Sequence, residues 1–372
     1  VYSPQIRRRG LCFLPAIRKF GPTNTTGITG SKKLMRVKKF SAVNFPITFL
    51  LLFLNSTKLE ASQFLLSWPT PNASFAKGLG YHTFLQKTGP DKDVSSGAYG
   101  CVRNHGTKFH EGLDLFPVKR TKRGIAEDSI FAAMSGKVVY LSRTARDSAY
   151  GKYIVLEHNQ YSPNLYSLYA HLEEIDARLS LNKDVQVAQK IGKMGNSASF
   201  NIPLNRSHLH FEIGVRLSSN FDKWYNRQKF RTPNKHQNFN GYNLVGLDPL
   251  RFYSSYKKSP FNSPESYIKS LPIVTKVQVE FSGIPDLIQR DRSLLQASAR
   301  ETAARSWICS FGPFGFPLSF ESSSSIPTQP VKVISYDEKN DSDRCRKLIV
   351  RKNGELLPSD QLNVYLELIF LD

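Results

Sequence analysis

Short hydrophobic runs, each bounded by Gly, Pro or Asn, follow one another from about Trp68 to Tyr253. Helical periodicity is scarce in this stretch, whereas residues typical of strands recur every few positions. The runs are SIFAAMSGKVVYLS, GKYIVLEH, LYSLYAHL, DVQVAQKIGKMG and HLHFEIGVRL. This pattern predicts a mainly antiparallel sheet whose strands are joined by hairpins.

A second set of strand-like runs follows a polar segment. The composition of residues 253–270, rich in Ser, Lys and Pro, is typical of a linker. The linker is predicted over residues 254–272. Beyond it IVTKVQVEFSG alternates between apolar and polar positions, and VKVISYDE, LIVRKNGELL and LNVYLELIFL follow, with Asn353-Gly354 as a hairpin turn. The fold class is therefore predicted to be all-β, with a sheet domain over residues 62–253 and a small, sandwich-like accessory β domain over residues 273–372.

The N-terminal segment has a different composition. From Met35 a basic start precedes an apolar stretch and the small residue Ala61, which is the layout of a secretory signal peptide over residues 35–61. A retained membrane anchor is the alternative, although the apolar stretch is short and contains Pro46. Residues 1–34 are expected to lie upstream of the true start. The protein is therefore predicted to be exported, to a periplasm or to the extracellular cell wall.

The formal net charge of +21 suggests an anionic partner. Residues 1–61 hold 11 basic residues and one acidic residue, so about half of the surplus lies in the N-terminal segment. The other basic residues form no tight cluster, which favours a polyanionic envelope or cell wall over nucleic acid. With 372 residues, 40% of them hydrophobic, the chain is able to bury one large core or two moderate ones.

Export changes how the cysteines are interpreted. Cys309 and Cys345 both lie in the last hundred residues, where they could form a disulfide in an oxidising compartment. The sequence leaves that pairing open. Cys101, in GAYGCVRN, is expected to be a small core residue rather than a nucleophile.

Two segments carry polar groups at strand spacing. In SHLHFEIG, His208 and His210 alternate with apolar residues, so both imidazoles lie on one strand face. In KFHEGLDLFP, glycine and proline disfavour a helix, and on a strand His110 and Asp114 share a face. Gly112 between them is expected to leave room for an ion, while the neighbouring leucines face the core.

If the two strands are neighbours, His110, Asp114 and one histidine of the 208/210 pair could surround one metal ion. Two imidazoles and a carboxylate, with a fourth position open to water, are typical of catalytic zinc, which lowers the pKa of a bound water to about 7. The other histidine of the pair and His171, in SLYAHLEEI, could then take a proton from the water and stabilise the oxyanion.

The ordered motifs His-x-Gly-x-Asp, Tyr-Ala-His-Leu and His-Leu-His-Phe-Glu resemble those of the lysostaphin/LytM-type zinc metallopeptidases, which cleave peptide cross-bridges in bacterial peptidoglycan. SGAYGCVRNHGTKFHEGLDL is similar to the entry segment of that family, and VGLDPLRFY to the close of its domain. The resemblance spans roughly residues 66–253. The combined motifs are far more specific than a lone His-x-His.

The resemblance implies a role for each site residue. His110, Asp114 and His210 would bind one zinc ion, and His171 and His208 would be the catalytic pair, one as general base and the other polarising the oxyanion. No ligand is missing, so the resemblance implies an active zinc metalloendopeptidase with peptidoglycan as its partner. The alternative is a catalytically silent peptidoglycan-binding or amidase-activating protein on the same fold. The histidines that match no ligand position are His82, His105, His158 and His236.

Some segments depart from the family pattern. SFNIPLNRS stands where the family commonly has a short Gly-rich link, and residues 218–243 form a long insertion. Loops around the groove tend to set specificity in such enzymes, so the cleaved bond stays open between a D-alanyl–diaminopimelate cross-link, which is favoured, and a glycine bridge. Residues 62–98 could block the groove before activation. The C-terminal domain lies outside the resemblance and is expected to bind cell wall, although it could also cover the groove or act as a scaffold.

Overall fold

Antiparallel strands make up most of the regular structure of the chain. The computed structural model describes residues 64–88, 93–296, 304–341 and 345–371. The predicted leader and the segment upstream of it lie outside these residues. Strands predominate in both halves of the described chain, so the all-β fold class is confirmed. In these ranges no helix is both long enough and apolar enough to cross a membrane.

Twelve strands and two helices precede residue 260 in the described part of the chain. The strands are β1 (Gly100–Arg103), β2 (Lys108–His110), β3 (Leu113–Leu115), β4 (Ser129–Phe131), β5 (Gly136–Ser142), β6 (Tyr153–Glu157), β7 (Tyr166–Ala170), β8 (Leu172–Ile175), β9 (Asp184–Val185), β10 (Lys190–Met194), β11 (Leu209–Arg216) and β12 (Leu244–Leu247). The helices are α1 (Phe221–Arg227) and α2 (Pro249–Lys258).

The main sheet has seven strands among the described residues. Its order is β12-β11-β7-β6-β5-β9, and β3 pairs with β11 beside β12, all antiparallel. Strand β11 therefore has neighbours on both sides. Strand β7 pairs along one side, and β3 and β12 pair with successive parts of the other side. Strands β4, β10 and β8 form a smaller sheet, and β1 and β2 form a hairpin.

Both faces of β11 are buried. The face predicted to be apolar has no exposed surface and carries Leu209, Phe211 and Ile213. The opposite face was expected to line a site, and its polar residues His208, His210 and Glu212 are at most 5% exposed. A buried polar face requires hydrogen-bond partners for each of its groups, and these partners define the site described below.

Six strands and three helices follow residue 260 in the described part of the chain. They are α3 (Pro264–Lys269), β13 (Thr275–Glu280), α4 (Asp286–Arg290), β14 (Ser306–Phe311), β15 (Pro317–Ser323), β16 (Val331–Tyr336), β17 (Ile349–Lys352), β18 (Glu355–Pro358) and α5 (Asp360–Ile369). Strands β15-β14-β13-β16 form an antiparallel sheet, and β17 and β18 form a hairpin. The predicted turn joins that hairpin, since Asn353 and Gly354 both have positive φ, 51° and 84°.

Helices α2 and α3 fall in and next to the segment expected to be a linker. The carboxylate of Asp248 accepts hydrogen bonds from the first turn of α2, and Pro249 begins that helix. Ser263 caps α3 in the same way, followed by Pro264. The start signals are therefore present in the sequence, although serines and lysines obscure the periodicity of the helices.

The pairing of Cys309 with Cys345, which the sequence left open, is not the one that forms. Cys345 forms a disulfide with Cys101, with Cα atoms 5.7 Å apart, and Cys309 is a buried free thiol on β14. Cys101 is therefore a covalent cross-link and not a core residue that only fills space. The bond joins β1 to the segment before β17, and both lie in one compact unit of the chain.

Candidate metal centre

The register of β11 brings the predicted site residues together. His210 lies opposite Asp114 on β3 and opposite Ala170 on β7. His171 directly follows Ala170, in the left-handed region with φ of 59°. Hydrogen-bonded strands are about 5 Å apart, so this register alone places a carboxylate and a second imidazole on either side of His210.

His110 reaches the site from a separate strand. It ends β2, which pairs with β1, whereas Asp114 lies on β3. The expectation that residues 110–114 form one continuous strand is therefore wrong. Gly112 does not leave room for an ion either, because a Cβ atom there would lie 2.3 Å from the carbonyl oxygen of Phe211. The missing side chain at Gly112 instead permits the close approach of this turn to β11.

Three donor atoms of the predicted ligands form a small triangle. The Nε2 atom of His110 lies 3.1 Å from Oδ1 of Asp114 and 3.1 Å from Nδ1 of His210, and the latter two atoms are 3.0 Å apart. All three residues are buried, at 2% exposure or less. Tetrahedral zinc with bonds of about 2.0–2.1 Å separates its ligands by roughly 3.3 Å, so two imidazole nitrogens and a carboxylate oxygen fit the ion with little adjustment.

His171 and His208 lie beside this triangle. Their ring centroids are 4.8 Å apart, and Nε2 of His208 is 3.6 Å from Oδ1 of Asp114. The Nδ1 atoms face backbone carbonyl oxygens, that of Ser197 at 2.9 Å for His171 and that of Arg206 at 2.8 Å for His208. A carbonyl oxygen only accepts, so each Nδ1 carries the proton and each Nε2 keeps its lone pair when the ring is neutral.

The same burial that encloses the pair keeps it neutral. Burial, together with the charges of His208 and His210, holds the pKa of His171 well below its ordinary value. Burial also lowers the pKa of His208, although the carboxylate of Asp114 acts in the opposite direction. Both imidazoles are therefore unprotonated at neutral pH and are able to accept a proton at Nε2.

The charges around Asp114 favour its ionised form. Burial alone would raise the pKa of this carboxyl, but His110, Arg103 and His208 together hold it well below its usual range. Burial lowers the pKa of His110 to about 4, and Nδ1 of this ring donates to the carbonyl oxygen of Ala98 at 2.7 Å. The Nε2 atom of His110, which belongs to the donor triangle, is thus also free of a proton.

Two features of the site were not expected from the sequence. The guanidinium of Arg103, on β1, forms an ion pair with Oδ2 of Asp114, the oxygen that the donor triangle does not use. Glu212 accepts a hydrogen bond from Nε2 of His210. Alternation along the strand places Glu212 on the same face as the two histidines, so its position was predictable. Arg103 comes from another hairpin, and no sequence spacing indicates that contact.

The other four histidines lie outside the candidate site. His82 and His105 are exposed. His158 bonds with Ser135 and Ser167, and His236 with the hydroxyl of Tyr153. In the described ranges, the group of His, Cys, Asp and Glu residues able to hold a metal ion is His110, Asp114 and His210.

Part of this region matches the model of a known protein family. Residues 108–222 match the model of Peptidase family M23. Among solved structures, the chain is 23% identical to a zinc-containing peptidase from Vibrio cholerae, over 35% of this chain and 31% of that one, with a TM-score of 0.23. No curated protein matches.

Two further solved structures are similar over most of their own length. The catalytic domain of the antimicrobial peptidase lysostaphin from Staphylococcus simulans is 21% identical, over 47% of this chain and 95% of that one, with a TM-score of 0.27. A catalytic-domain variant of the prophage-encoded M23 protein EnpA from Enterococcus faecalis is 21% identical, over 35% and 80%, with a TM-score of 0.23. By contrast, the chain spans only about a third of the Vibrio cholerae protein. The match to the model of Peptidase family M23 confirms the resemblance that the sequence motifs indicated.

Proposed function

We propose that this chain, which carries a Peptidase family M23 region, is an exported zinc-dependent endopeptidase that hydrolyses the peptide cross-links of bacterial peptidoglycan. The observation that carries the proposal is the donor triangle of His110, Asp114 and His210, with sides of 3.0–3.1 Å. Two neutral imidazoles and one carboxylate would leave a bound Zn²⁺ site with a net positive charge. Three protein ligands of this kind suit a catalytic rather than a structural ion.

Zinc would be held by Nε2 of His110, Oδ1 of Asp114 and Nδ1 of His210. When bound, it supplies Lewis-acid activation of water and of the scissile carbonyl group. Arg103 forms an ion pair with Oδ2 of Asp114, the oxygen on the side away from the triangle. This ion pair holds the carboxylate in one orientation.

His171 and His208 would handle the protons. The lone pair of Nε2 on one ring accepts the proton of the attacking water, and that ring later donates a proton to the leaving amine. The other ring polarises the oxyanion that develops on the carbonyl oxygen. Their Nδ1 bonds to Ser197 and Arg206 fix both rings with Nε2 directed away from the backbone.

The substrate and location follow from the family and from charge. Residues 62–372 keep a net charge of +11, which is the +21 of the whole chain less the +10 of residues 1–61, and this surplus favours a polyanionic cell wall. A D-alanyl–diaminopimelate cross-link is the first substrate to test. A disulfide between Cys101 and Cys345 is the cross-link expected of a protein in an oxidising compartment, which supports export.

The test is digestion of purified peptidoglycan by the full chain, with and without chelator, followed by mass spectrometry of the released muropeptides. Chelator-sensitive loss of cross-linked dimers, restored by added zinc, is the expected result and identifies the bond that is cut. Zinc binding without release from walls of either cross-link type would contradict the catalytic proposal and favour a non-catalytic, peptidoglycan-binding role. A chain that binds no zinc would contradict the metal assignment itself.

A further inference from the structure

A carboxylate that bonds with one histidine and two tyrosines is buried behind the donor triangle. Glu212 is 1% exposed, and its oxygens accept three hydrogen bonds in the described part of the chain. The Oε1 atom accepts from the hydroxyl of Tyr150 at 2.8 Å and from Nε2 of His210 at 2.8 Å, and Oε2 accepts from the hydroxyl of Tyr166 at 2.9 Å. Burying a carboxylate costs several kcal/mol unless such donors replace its water. The three hydrogen bonds therefore offset the desolvation cost of Glu212.

The bond from His210 to Glu212 determines which nitrogen of His210 faces the triangle. An ionised carboxylate only accepts, so Nε2 of His210 carries a proton and donates it. The Nδ1 atom is then the nitrogen available to a metal, and it is this atom that lies 3.0 Å from Asp114 and 3.1 Å from His110. His110 has the reverse arrangement, because its Nδ1 donates to Ala98 and its Nε2 faces the triangle.

Tyr150 joins this network to the second half of the site. Its hydroxyl holds Glu212, and its backbone carbonyl oxygen accepts from the backbone N–H of His171 at 2.9 Å. Tyr166 lies on β7, opposite Gly214 of β11, so it reaches Glu212 from the neighbouring strand. Both tyrosines are buried, at 4% and 1% exposure, and their rings therefore have little freedom to move.

We propose that Glu212 is a positioning residue for His210, with Tyr150 and Tyr166 as its two supports, and that this network fixes the nitrogen and the ring orientation with which His210 binds metal. The inference rests on the proposed zinc site. Partners of this kind commonly change metal affinity by about 10–100-fold when they are removed. The member of the donor triangle that bonds with Glu212 is His210, so the effect of the network is exerted through that ring.

The experiment measures zinc affinity of the full chain by competition with a chromogenic chelator, so that activity is not needed as a readout. The variants are Glu212→Gln, which keeps one neutral acceptor, Glu212→Leu, which keeps none, and Tyr150→Phe, which removes one support. Tyr153→Phe is the matched control, because Tyr153 is a buried tyrosine 5.1 Å from the ring of Tyr150 whose hydroxyl bonds with His236 instead.

The expected order of zinc affinity is wild type and Tyr153→Phe first, then Tyr150→Phe, then Glu212→Gln about tenfold weaker, and Glu212→Leu up to about 100-fold weaker. The visible absorption spectrum of the Co²⁺-substituted protein should change shape in the Glu212 variants, which a general loss of stability would not produce. If Glu212→Leu does not fold, Glu212→Gln and Tyr150→Phe still decide the question.

Two contrary results have different meanings. Glu212→Gln and Tyr150→Phe with the zinc affinity and Co²⁺ spectrum of the wild type would overturn the positioning role and leave the proposed zinc site intact. A wild-type chain that takes up neither zinc nor cobalt would overturn both the zinc site and the role of Glu212.

Discussion

His208 and His210 are separated by one residue, yet their imidazoles have different surroundings. The Nδ1 atom of His210 lies between His110 and Asp114, whereas that of His208 donates to the carbonyl oxygen of Arg206. Hydrogen bonds to Asp114 and Glu212 raise the pKa of His210 to about 9 although burial alone would lower it. His210 therefore bonds with two carboxylates, whereas for His208, which lies 3.6 Å from Asp114, burial outweighs the carboxylate and lowers the pKa.

Replacing each histidine separately should distinguish these roles. His210→Ala is expected to lose zinc and peptidoglycan hydrolysis together, because one corner of the donor triangle is removed. His208→Ala should retain zinc and lose about 100-fold or more in turnover, since it removes only a proton-transfer or oxyanion group. Zinc content and muropeptide release measure the two effects. His236→Ala, which alters a half-buried histidine elsewhere, should change neither, and normal digestion by both site variants would refute the assignments.

His158 predicts a measurable loss of stability in acid. Burial lowers the pKa of this ring to about 4, against an ordinary value of 6.5. The unfolded chain therefore binds a proton more readily than the folded one between these values, so stability is complete above about pH 6.5 and falls as pH drops towards 4. Between pH 7 and pH 5, urea unfolding of His158→Gln should lose about 2 kcal/mol less than the wild type loses. An equal loss in both proteins would contradict this; His82→Gln, at an exposed position, is the control.

At the residue scale, spacing indicated which polar side chains lie together, although it left open which histidine of the 208/210 pair faces the donor triangle. The spacing of His208 and His210 and of His110 and Asp114 indicated the residues that the structure brings within hydrogen-bond distance. Which imidazole nitrogen faces the triangle depends on carbonyl and carboxylate partners that are distant in sequence. The role of Gly112 was also mispredicted, because the close approach of β11 cannot be inferred from one segment.

At the scale of elements, the β1–β2 hairpin links the site to the C-terminal half. It carries Arg103 and His110, and it contacts the C-terminal half in three ways. The Cys101–Cys345 disulfide crosses from β1, the guanidinium of Arg346 lies 3.8 Å from the ring centroid of Phe109, and Phe314 packs on that same ring at 4.9 Å. A hairpin that carries a proposed metal ligand is thus held by residues beyond the segment that matches the family model.

Removing the disulfide should destabilise the whole unit. The bond closes a loop with a sequence separation of 244 residues, and loss of such a cross-link typically costs about 2–5 kcal/mol. The Cys101→Ser/Cys345→Ser double variant should therefore melt at a lower temperature than the oxidised wild type. Reductant should lower the melting temperature of the wild type and leave the double variant unchanged. Equal melting temperatures of the two oxidised proteins would contradict a stabilising role.

Strands were easier to predict than helices in this chain. Apolar alternation is complete within a few residues, as in β13, because one face must pack. By contrast LNVYLELIFL, which was expected to be a strand, forms most of helix α5. Helix α2 has its cap and its proline at Asp248 and Pro249, but its exposed face is rich in serine and lysine. That composition is also typical of linkers, so only the packing of the apolar residues of α2 against the core distinguishes the two.

At the scale of the whole molecule, the insertion at residues 218–243 joins the two halves. Helix α1 lies in it, and the indole N–H of Trp224 donates to Glu367 of α5 at 2.8 Å. On its other side, the carbonyl oxygen of Lys235 accepts from the hydroxyl of Tyr140 on β5. A segment that is long relative to the family pattern thus contacts both the main sheet and the last helix.

A chain that ends at residue 272 should therefore not fold as a stable unit. Truncation would expose Tyr99 and Phe109, which pack on Phe314, and would remove the partner of Cys101. We expect loss of the cooperative thermal transition that circular dichroism should show for the full chain, together with loss of zinc binding. A truncated chain that melts as cooperatively as the full chain would show that the peptidase region folds independently.

The position of the disulfide has a consequence for biogenesis. Cys101 precedes every ligand of the candidate metal centre in the chain. Its partner Cys345 is synthesised only after the seven-stranded and the four-stranded sheets. If the chain is exported as proposed, the cross-link cannot close until residue 345 has entered the oxidising compartment. Incomplete chains that end before residue 345 keep Cys101 as an unpaired thiol, whereas the free thiol of Cys309 is buried in the folded chain. Quality-control machinery that recognises accessible thiols would therefore be able to distinguish incomplete chains from folded protein.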